Sequence, residues 1–413
     1  MCYQITIDPR DRLFFRDAKP ISGSDVGGGA NWPLPSLFHS AFISALYEKW
    51  PLHQSWEQPH TGNDSDKNSD KSRMRFGGLK TYGVFPQKDG IVYVPTPADI
   101  APDGSIMELI KLTGASNLPL PLKFAVSSTG APSKKEVQPW ISMENLEKYL
   151  KGETGLSTFP GFELYGSETA PGIEINPATM TNVEGIFFQA VYMRLQKDVS
   201  MLAFAECESK KYNEIKGVDI LQKLFEEGKS LPFVFGGQRG MAFMECRREK
   251  TALCKITDSL PNVSGNRIKW TLLSPALFNK GWLPDWIDSG TGKVMLKSRP
   301  DKNGKSRKEW RKEIENAPQI NANIVAARLP KPLVHSGWKL DKDTDCAGGG
   351  PKATRLAVPA GSVYYFECDN ADEAKKLSAE LHGTVKSSLL GEQGFGLGVC
   401  SSYTIKTTNG DTK

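Results

Sequence analysis

Two copies of one local pattern, a helix followed by a glycine-rich loop and then a strand, constrain the fold of this 413-residue chain more than any other feature. The first copy spans residues 218–246, with its glycine loop at 233–240, and the second spans 371–405, with its loop at 391–399. In a dinucleotide-binding fold the glycines follow a strand and open a helix, so the order here is the reverse. Two copies in one chain indicate an internal duplication.

Other strand patterns repeat in step with these two copies. Residues 3–7 and 268–273 each form a strand pattern that leads into a proline-containing loop. Later strand patterns at 186–194 and 361–367 precede the helix and glycine loop of their half. Each half therefore follows the order strand, helix or insert, strands, helix, glycine loop, strand. This order predicts an α+β fold of two tandem ferredoxin-like (RRM-like) repeats with glycine-rich loops and insertions.

We predict two domains, since the chain is long enough for two sizeable cores. The N-terminal ferredoxin-like half covers 1–250 and carries a long insertion at about 52–180, and the C-terminal half covers 262–413. The halves divide near residues 248–266. Residues 60–72 are polar and almost without apolar side chains, so we predict a surface loop there, because too little surface can be buried to offset the ordering entropy.

A basic insertion lies in the C-terminal half. Lysines and arginines recur through residues 293–312, opposed only by Asp301 and Glu309 and accompanied by one aromatic residue, Trp310. Such a run is either a solvated charged face or a site of phosphate contact with RNA. The pattern by itself leaves both interpretations open.

The residue types that usually carry catalysis are scattered. The seven cysteines form no C-x-x-C pair, so we predict reduced, structural thiols and a reducing cytoplasm. None of the five histidines lies in a metal-ligand motif, and His39, beside the apolar face of a predicted helix at 34–50, is predicted to be structural. Neither glycine loop ends in G-K-[ST]. We therefore predict no catalytic residue, no metal site and no cofactor.

Composition is compatible with a nucleic-acid partner. The net charge of +5 and the pI of about 8.6 permit RNA contact but also suit many cytoplasmic proteins. No apolar run is long enough for a membrane span, and the first residues lack the features of a secretion signal. We expect a cytoplasmic protein without a membrane partner.

A series of short motifs resembles one known family. They are, in chain order, Phe14-Phe15-Arg16-Asp17-Ala18-Lys19-Pro20, Trp32-Pro33-Leu34-Pro35-Ser36, Gly172-Ile173-Glu174-Ile175, Thr181-Asn182-Val183-Glu184-Gly185, the Gly-Gly-x-x-Gly loop from Gly236 to Gly240, Ser274-Pro275-Ala276-Leu277-Phe278, Ser336-Gly337-Trp338 and Val358-Pro359-Ala360-Gly361-Ser362. In this order they are similar to the Cmr-module member of the RAMP superfamily. The ordered matches extend over nearly the whole chain.

The resemblance implies a non-catalytic subunit of a type III-B CRISPR effector complex. Its implied partners are the 5′ handle of the guide RNA, the large polymerase-like subunit and the other RAMP subunits. The predicted RNA-binding residues are Arg16, Lys19, Ser24, Gly236, Gly237, Arg239, Arg328, Lys331, Gly394, Phe395 and Gly396. Two other classes stay open, a guide-processing endoribonuclease of the same superfamily and a protein-only scaffold.

Both predicted RNA loops also have a packing interpretation. In the first loop, aromatic rings could stack on bases, but we predict that at least one of Phe14 and Phe15 is core while Arg16 and Lys19 face RNA or the partner subunit. In the terminal loop, glycines alternate with Phe395 and Leu397. Such backbone must pass close to something, which is either RNA or an adjacent helix.

Overall fold

The structure is a computed structural model of the whole chain. It describes residues 3–16, 26–27, 32–49, 79–112, 118–119, 122–128, 135–207, 220–225, 230–247, 252–300, 304–339 and 350–405. Two predicted RNA-binding residues, Lys19 and Ser24, and the polar stretch 60–72 lie outside these ranges.

The described residues are rich in strands and contain few helices. The helices α1–α6 are Pro35–Lys49, Met143–Leu150, Ile220–Leu224, Ala252–Asp258, Arg307–Asn316 and Ala371–Leu381. The strands β1–β11 are Tyr3–Pro9, Val26–Gly27, Leu79–Lys88, Ile91–Pro95, Glu108–Lys111, Phe124–Ser127, Trp140–Ser142, Thr158–Phe159, Tyr165–Ile175, Asn182–Leu195 and Val199–Cys207. The strands β12–β21 are Leu231–Val234, Met241–Arg247, Arg267–Leu272, Ala322–Arg328, Leu333–His335, Trp338–Lys339, Gly350–Pro351, Arg355–Ala357, Val363–Cys368 and Gly398–Ser402. The predicted α+β class is confirmed.

One large sheet organises the N-terminal part of the chain. Its eight strands lie in the order β12-β13-β1-β11-β3-β4-β7-β8. Strand β1 pairs antiparallel with both β11 and β13, and β11 pairs antiparallel with β3. If β1, β3, β11 and β13 are numbered from one to four, their spatial order is four, one, three, two. Helix α1 packs on one face of this sheet, where Phe38, Phe42 and Leu46 join the buried core.

A four-stranded sheet organises the C-terminal part and repeats this order. The strands lie as β15-β20-β14-β21, and every neighbouring pair is antiparallel. Numbered along the chain, the spatial order is again four, one, three, two. Helix α6 packs on this sheet through Ala374, Leu377 and Leu381, the apolar residues expected from helical spacing. Asn370 caps the helix, as expected, by accepting hydrogen bonds from the backbone N–H groups of residues 372 and 373 at 3.0 Å each.

The structure differs from the sequence-based assignment of the third strand in the N-terminal half. The strand pattern at 186–194 lies in β10, which pairs with β9 as a long hairpin of a separate three-stranded sheet. Strand β11 occupies the corresponding place in the large sheet, between β1 and β3. Residues 186–194 and strand β11 both have strand-like apolar patterns, so periodicity alone could not show which of them belongs to the large sheet.

Residues of the predicted insertion pack on the four-stranded C-terminal sheet. Leu109 of β5 and Val126 of β6 pack with Val325, Val363 and Tyr365 of the C-terminal sheet in one buried cluster. Apolar side chains of the insertion therefore complete the second face of that sheet.

A buried polar cluster joins the same two parts. Asp99, at 0% exposure, accepts hydrogen bonds from the Tyr149 hydroxyl at 2.7 Å and the Tyr365 hydroxyl at 2.6 Å, and lies 3.0 Å from the Lys269 ammonium group. The Tyr149 hydroxyl is also 3.2 Å from the Thr271 hydroxyl. Burial lowers the pKa of Lys269. Because a buried charge is tolerated only when it is paired and hydrogen-bonded, these contacts tie the insertion to strands β14 and β20.

Alkaline conditions should destabilise the fold, because burial raises the pKa values of Tyr149, Tyr364 and Tyr365. Unfolded tyrosines ionise near pH 10 whereas these three stay protonated when folded, so their stabilisation is present below about pH 10 and is lost above it. Each tyrosine accounts for about 1.4 kcal/mol per pH unit, or about 4 kcal/mol per pH unit together. Lys269 has the opposite slope below its unfolded pKa of 10.5.

Denaturant midpoints measured between pH 10.5 and 11.5 test this expectation, with tyrosine ionisation followed by absorbance. A midpoint that stays constant while the absorbance of all tyrosines rises in the folded state would contradict it.

None of the helices in the described ranges is long and apolar enough to cross a membrane.

Candidate nucleic-acid interface

The first glycine loop packs on the loop that follows β1. The Gly237 N–H donates to the Phe14 carbonyl oxygen at 2.8 Å. Gly236 has φ +86°, and a Cβ at this position would lie 2.8 Å from the same oxygen and 3.1 Å from the Phe15 ring. Glycine is required here by both the left-handed backbone and the close approach.

The aromatic side chains of these two loops are buried, and their arginine side chains are exposed. Phe14 and Phe15 are 8% and 3% exposed, and Phe15 packs edge-on against Phe235. Both rings are therefore core, and base stacking by these residues has no support. Arg16 and Arg239 are exposed, and Arg239 lies at φ +55° at the tip of the loop.

A third arginine lies beside these two. The Arg10 N–H donates to the carbonyl oxygen of Met241, the first residue after the glycine loop, at 2.9 Å. In the described part of the chain, no carboxylate lies within ion-pair distance of Arg10, Arg16 or Arg239. Arg10 is not among the RNA-binding residues predicted from the sequence, although its Asp-Pro-Arg-Asp-Arg segment comes at the end of a predicted strand.

The neighbouring arginines, Arg12 and Arg194, already interact with carboxylates, so they are less available to bind phosphate than Arg10, Arg16 and Arg239. Arg12 lies 4.2 Å from the centre of the Tyr192 ring and 3.7 Å from Glu168. Arg194 binds Glu168 and, at 2.8 Å, Asp11. The hydrogen bond from Arg194 lowers the pKa of Glu168, so that carboxylate stays ionised. This network anchors the hairpin of β9 and β10 beside the first loop.

The terminal glycine loop makes the corresponding contact in the C-terminal half, but it is buried. The Gly396 N–H donates to the Pro275 carbonyl oxygen at 2.7 Å, just as Gly237 donates to Phe14. Phe395 is 0% exposed and packs with Leu277 and Ala357. A Cβ at Gly394 would lie 2.6 Å from the Thr81 carbonyl oxygen of β3.

These contacts favour the packing interpretation of the terminal loop, with partners in the C-terminal half at Phe395 and Gly396 and in β3 of the N-terminal half at Gly394. The Phe395 ring cannot reach RNA while the loop holds this position. RNA contact by Gly394 and Gly396 stays a prediction that would need their backbone groups.

The last two predicted residues lie on another surface. Arg328 ends β15, and Lys331 precedes β16, which pairs with β19 in a small ribbon. Both are exposed. The ribbon reaches the terminal loop through His335, whose ring lies 5.4 Å from that of Phe395. The structure therefore brings Arg16, Gly236, Gly237 and Arg239 together, whereas Arg328 lies at the end of β15 and Lys331 lies just before β16.

The basic insertion is partly neutralised. Helix α5 begins at a capping box formed by Ser306 and Glu309, and Lys305 lies 2.5 Å from Glu313. The Trp310 indole N–H donates to the Pro300 carbonyl oxygen at 3.1 Å. These contacts are typical of a solvated helix that packs through its one aromatic residue. Phosphate contact by the other lysines and arginines of the insertion stays a prediction.

The arrangement defines a class: strand-rich α+β proteins in which each half packs a glycine loop on the loop after its own first strand. A family model for CRISPR-associated protein (Cas_Cmr3) matches residues 5–402. The chain belongs to this family. The resemblance to a Cmr subunit is thereby confirmed.

Several solved structures are similar to the chain at low sequence identity. A chain of the cryo-EM structure of the type III-B Cmr-beta complex bound to cognate target RNA is 15% identical, with a TM-score of 0.43 and coverage of 95% of each chain. A chain of the crystal structure of the Csm1-Csm4 cassette in complex with AMPPNP is 11% identical, with a TM-score of 0.36 and coverage of 98% of this chain and 99% of its own length. A chain of the Csm3-Csm4 subcomplex of the type III-A interference complex is 11% identical, with a TM-score of 0.36 and coverage of 89% and 94%. No curated protein matches the chain.

Proposed function

We propose that this protein is an RNA-binding, non-catalytic subunit of a type III-B CRISPR effector complex. In this role it holds the 5′ handle of the guide RNA and docks the large polymerase-like subunit and other RAMP subunits. The observation that carries the proposal is the set of three exposed arginines around the first glycine loop, Arg10, Arg16 and Arg239, in a chain of this family.

The strand order supports the architecture proposed for this role. Both halves have the order four, one, three, two with antiparallel neighbours, which is the arrangement that a β-α-β-β-α-β ferredoxin-like unit produces. The matching hydrogen bonds of Gly237 and Gly396 support a duplication. We propose two ferredoxin-like repeats, with the division near residues 248–266.

The chemistry of the first loop favours a phosphate backbone as its ligand. Guanidinium groups without a carboxylate partner keep their full charge for an anion, and guanidinium geometry matches phosphate oxygens. The glycine loop holds its tip, residues 237–239, exposed on the surface, so a strand of RNA could approach the backbone there.

Two of the three histidines in the described ranges, His39 and His382, make structural contacts that support a non-catalytic role. His39 is 7% exposed and lies 3.0 Å from the Thr81 hydroxyl. His382 contacts the Ile256 carbonyl oxygen at 2.7 Å and accepts from the Cys400 N–H at 3.0 Å, and burial lowers its pKa. Both imidazoles thus serve packing. Within the described ranges, no group of three or more His, Cys, Asp or Glu side chains could hold a metal ion.

Replacing Arg16 and Arg239, two of the three exposed arginines around the first glycine loop, should weaken RNA binding and reduce its dependence on salt. The Arg16→Ala/Arg239→Ala variant loses up to two phosphate contacts, so the slope of log affinity against log salt should fall by about 1.4, that is about 0.7 for each contact with single-stranded RNA. Fluorescence anisotropy with labelled guide-handle RNA at several salt concentrations measures the slope.

The matched control is Lys151→Ala, an exposed cation at the end of α2 in the insertion, which should leave the slope unchanged. Equal slopes for the double variant and the wild type would assign the arginines a different role. Cleavage of the RNA by the highly purified wild type would favour the endoribonuclease alternative, and no RNA binding at all would favour the protein-only scaffold.

A further inference from the structure

A surface cleft with a volume of about 610 Å³ lies in the C-terminal half, between helix α5, helix α6 and the segment that leads into α5. Its walls are mostly charged or polar and include Ser298, Arg299, Lys312, Glu313, Asn316 and Lys376. The volume falls within the range of small-molecule sites, about 300–1,000 Å³. The cleft is therefore large enough for a small polar ligand.

A buried carboxylate holds Arg299 at the cleft. Glu380 of α6 is 6% exposed and accepts a hydrogen bond from the Arg299 backbone N–H at 3.0 Å, and the Arg299 Nε lies 3.3 Å from the same carboxylate. Within the described ranges, the two terminal amino groups of Arg299 donate no hydrogen bond. Glu380 thus fixes the inner part of the guanidinium group and leaves its outer part for an anion.

A second cation shares this carboxylate. The Lys386 ammonium group lies 3.1 Å from Glu380, and its side chain is only 8% exposed. Burial lowers the pKa of Lys386, and the charge of Arg299 lowers it as well. One carboxylate between two cations leaves positive charge without a counterion. An anion bound at Arg299 would complete the charge balance of this cluster.

Two lysines from the other walls add to the charge of the cleft. Lys376 of α6 lies 2.7 Å from Glu373, which also accepts a hydrogen bond from the Asn321 N–H at 2.7 Å. Lys312 of α5 makes no hydrogen bond or ion pair within the described part of the chain. Cations from three separate segments thus converge on one cleft. Such convergence suits a phosphate monoester, which carries a charge of about −1.5 to −2 at neutral pH.

The α5 wall of the cleft does not offer a basic track for an RNA strand. Lys312 is flanked on this wall by Glu309 and Glu313, so the charges along it alternate in sign. A strand would need cations spaced along its backbone, whereas a single phosphate group needs them only at one point. The neighbouring exposed cations of α5, Lys308 and Arg311, lie outside the cleft and remain candidates for RNA contact.

We propose that this cleft binds a small phosphate ester, with its phosphate group on Arg299, Lys312 and Lys376. The rest of the ligand lies beside Asn316, whose side-chain amide can both donate to and accept from hydroxyl groups. The site shares no residue with the first glycine loop, so it does not depend on the proposed RNA-binding function.

The test uses a matched pair of charge-removing variants on the same helix. Lys312→Gln changes a cation of the cleft that has no partner to lose, and Arg311→Gln changes the next residue, which is exposed outside the cleft. Isothermal titration calorimetry at constant ionic strength measures the binding of AMP and ribose 5-phosphate, with adenosine as the uncharged comparison. Fluorescence anisotropy measures guide-handle RNA, and circular dichroism verifies the fold.

We expect at least one of the two esters to bind the wild type, adenosine not to bind, and Lys312→Gln to weaken ester binding about tenfold, the effect of one charged hydrogen bond. Arg311→Gln should match the wild type. Arg299→Gln should lose more, but it also removes a contact of Glu380, so Lys312→Gln decides.

Three results would overturn the inference while leaving the proposed function intact. They are the absence of ester binding at millimolar concentration, equal affinities of the wild type and Lys312→Gln, and equal losses in Lys312→Gln and Arg311→Gln. Weaker RNA binding by Lys312→Gln in a protein that binds no ester would assign the cleft to RNA instead. A wild type that binds an ester through Lys312 but no RNA would support the cleft and count against the proposed function alone.

Discussion

Asp99→Ala should destabilise the protein by about 3–5 kcal/mol, because it leaves the buried Lys269 ammonium group without its counterion. Lys269 is 3% exposed, and its Nζ also lies over the Tyr149 ring, 3.7 Å from the ring centre. The substitution also removes the acceptor of two buried tyrosine hydroxyls. Urea unfolding followed by tryptophan fluorescence measures the loss.

A surface ion pair provides the matched control. Glu144 and Lys148 lie 2.7 Å apart on the exposed side of α2, and Glu144→Ala should give no measurable change, because solvent screens the pair. If Asp99→Ala does not fold, Asp99→Asn keeps the shape and removes only the charge. An Asp99 variant as stable as the Glu144 control would show that the buried pair is not needed.

Gly396→Val should destabilise the protein by more than the strain of a left-handed valine backbone alone, because the new side chain also clashes with Ser387. Gly396 has φ +83°, and a Cβ there would lie 2.4 Å from the backbone nitrogen of Ser387 and 2.8 Å from its Cβ. Strain in the left-handed region costs about 1–3 kcal/mol, and displacement of the 387 backbone should add roughly 2 kcal/mol, in the range of overpacking costs. Denaturant unfolding and RNA affinity are measured on the same preparations.

Gly281→Val separates the two effects. Gly281 has φ +73°, but no heavy atom lies within 4 Å of the position that a Cβ would take, so this variant should show the strain alone. RNA affinity per folded molecule should be the same for both variants. Equal stability of the two, together with a tenfold loss of RNA affinity in Gly396→Val only, would return the terminal loop to the RNA interface.

Local patterns in the sequence predicted the local structure well. Helix α6 has the expected bounds and the expected cap at Asn370, because helical spacing and capping are set within a few residues. The two glycine loops were visible for the same reason. The resemblance of the motifs to a Cmr subunit predicted the family that the chain belongs to.

Contacts between distant parts of the chain were not predictable in this way. No local signal pairs Asp99 with Lys269, or shows that Phe395 is covered by Leu277 and Ala357. The choice of β11 for the large sheet likewise depends on its partners β1 and β3 rather than on its own pattern. Exposure of the first glycine loop and burial of the second are therefore properties of the assembled halves.

The Asp99 cluster also has a consequence during synthesis on the ribosome. Asp99 is separated from Lys269 by 170 residues and from Tyr365 by 266 residues. At a translation rate of about 5–20 residues per second, Tyr365 follows Asp99 by roughly 13–50 s. At the same rate Lys269 follows Asp99 by roughly 9–34 s, so the carboxylate lacks its counterion until then. The apolar surface of β5 and β6 lacks its complete partner sheet until β20 has been made. The nascent chain should therefore depend on chaperones until β20 has emerged, even though its first sheet is complete once β13 has been made.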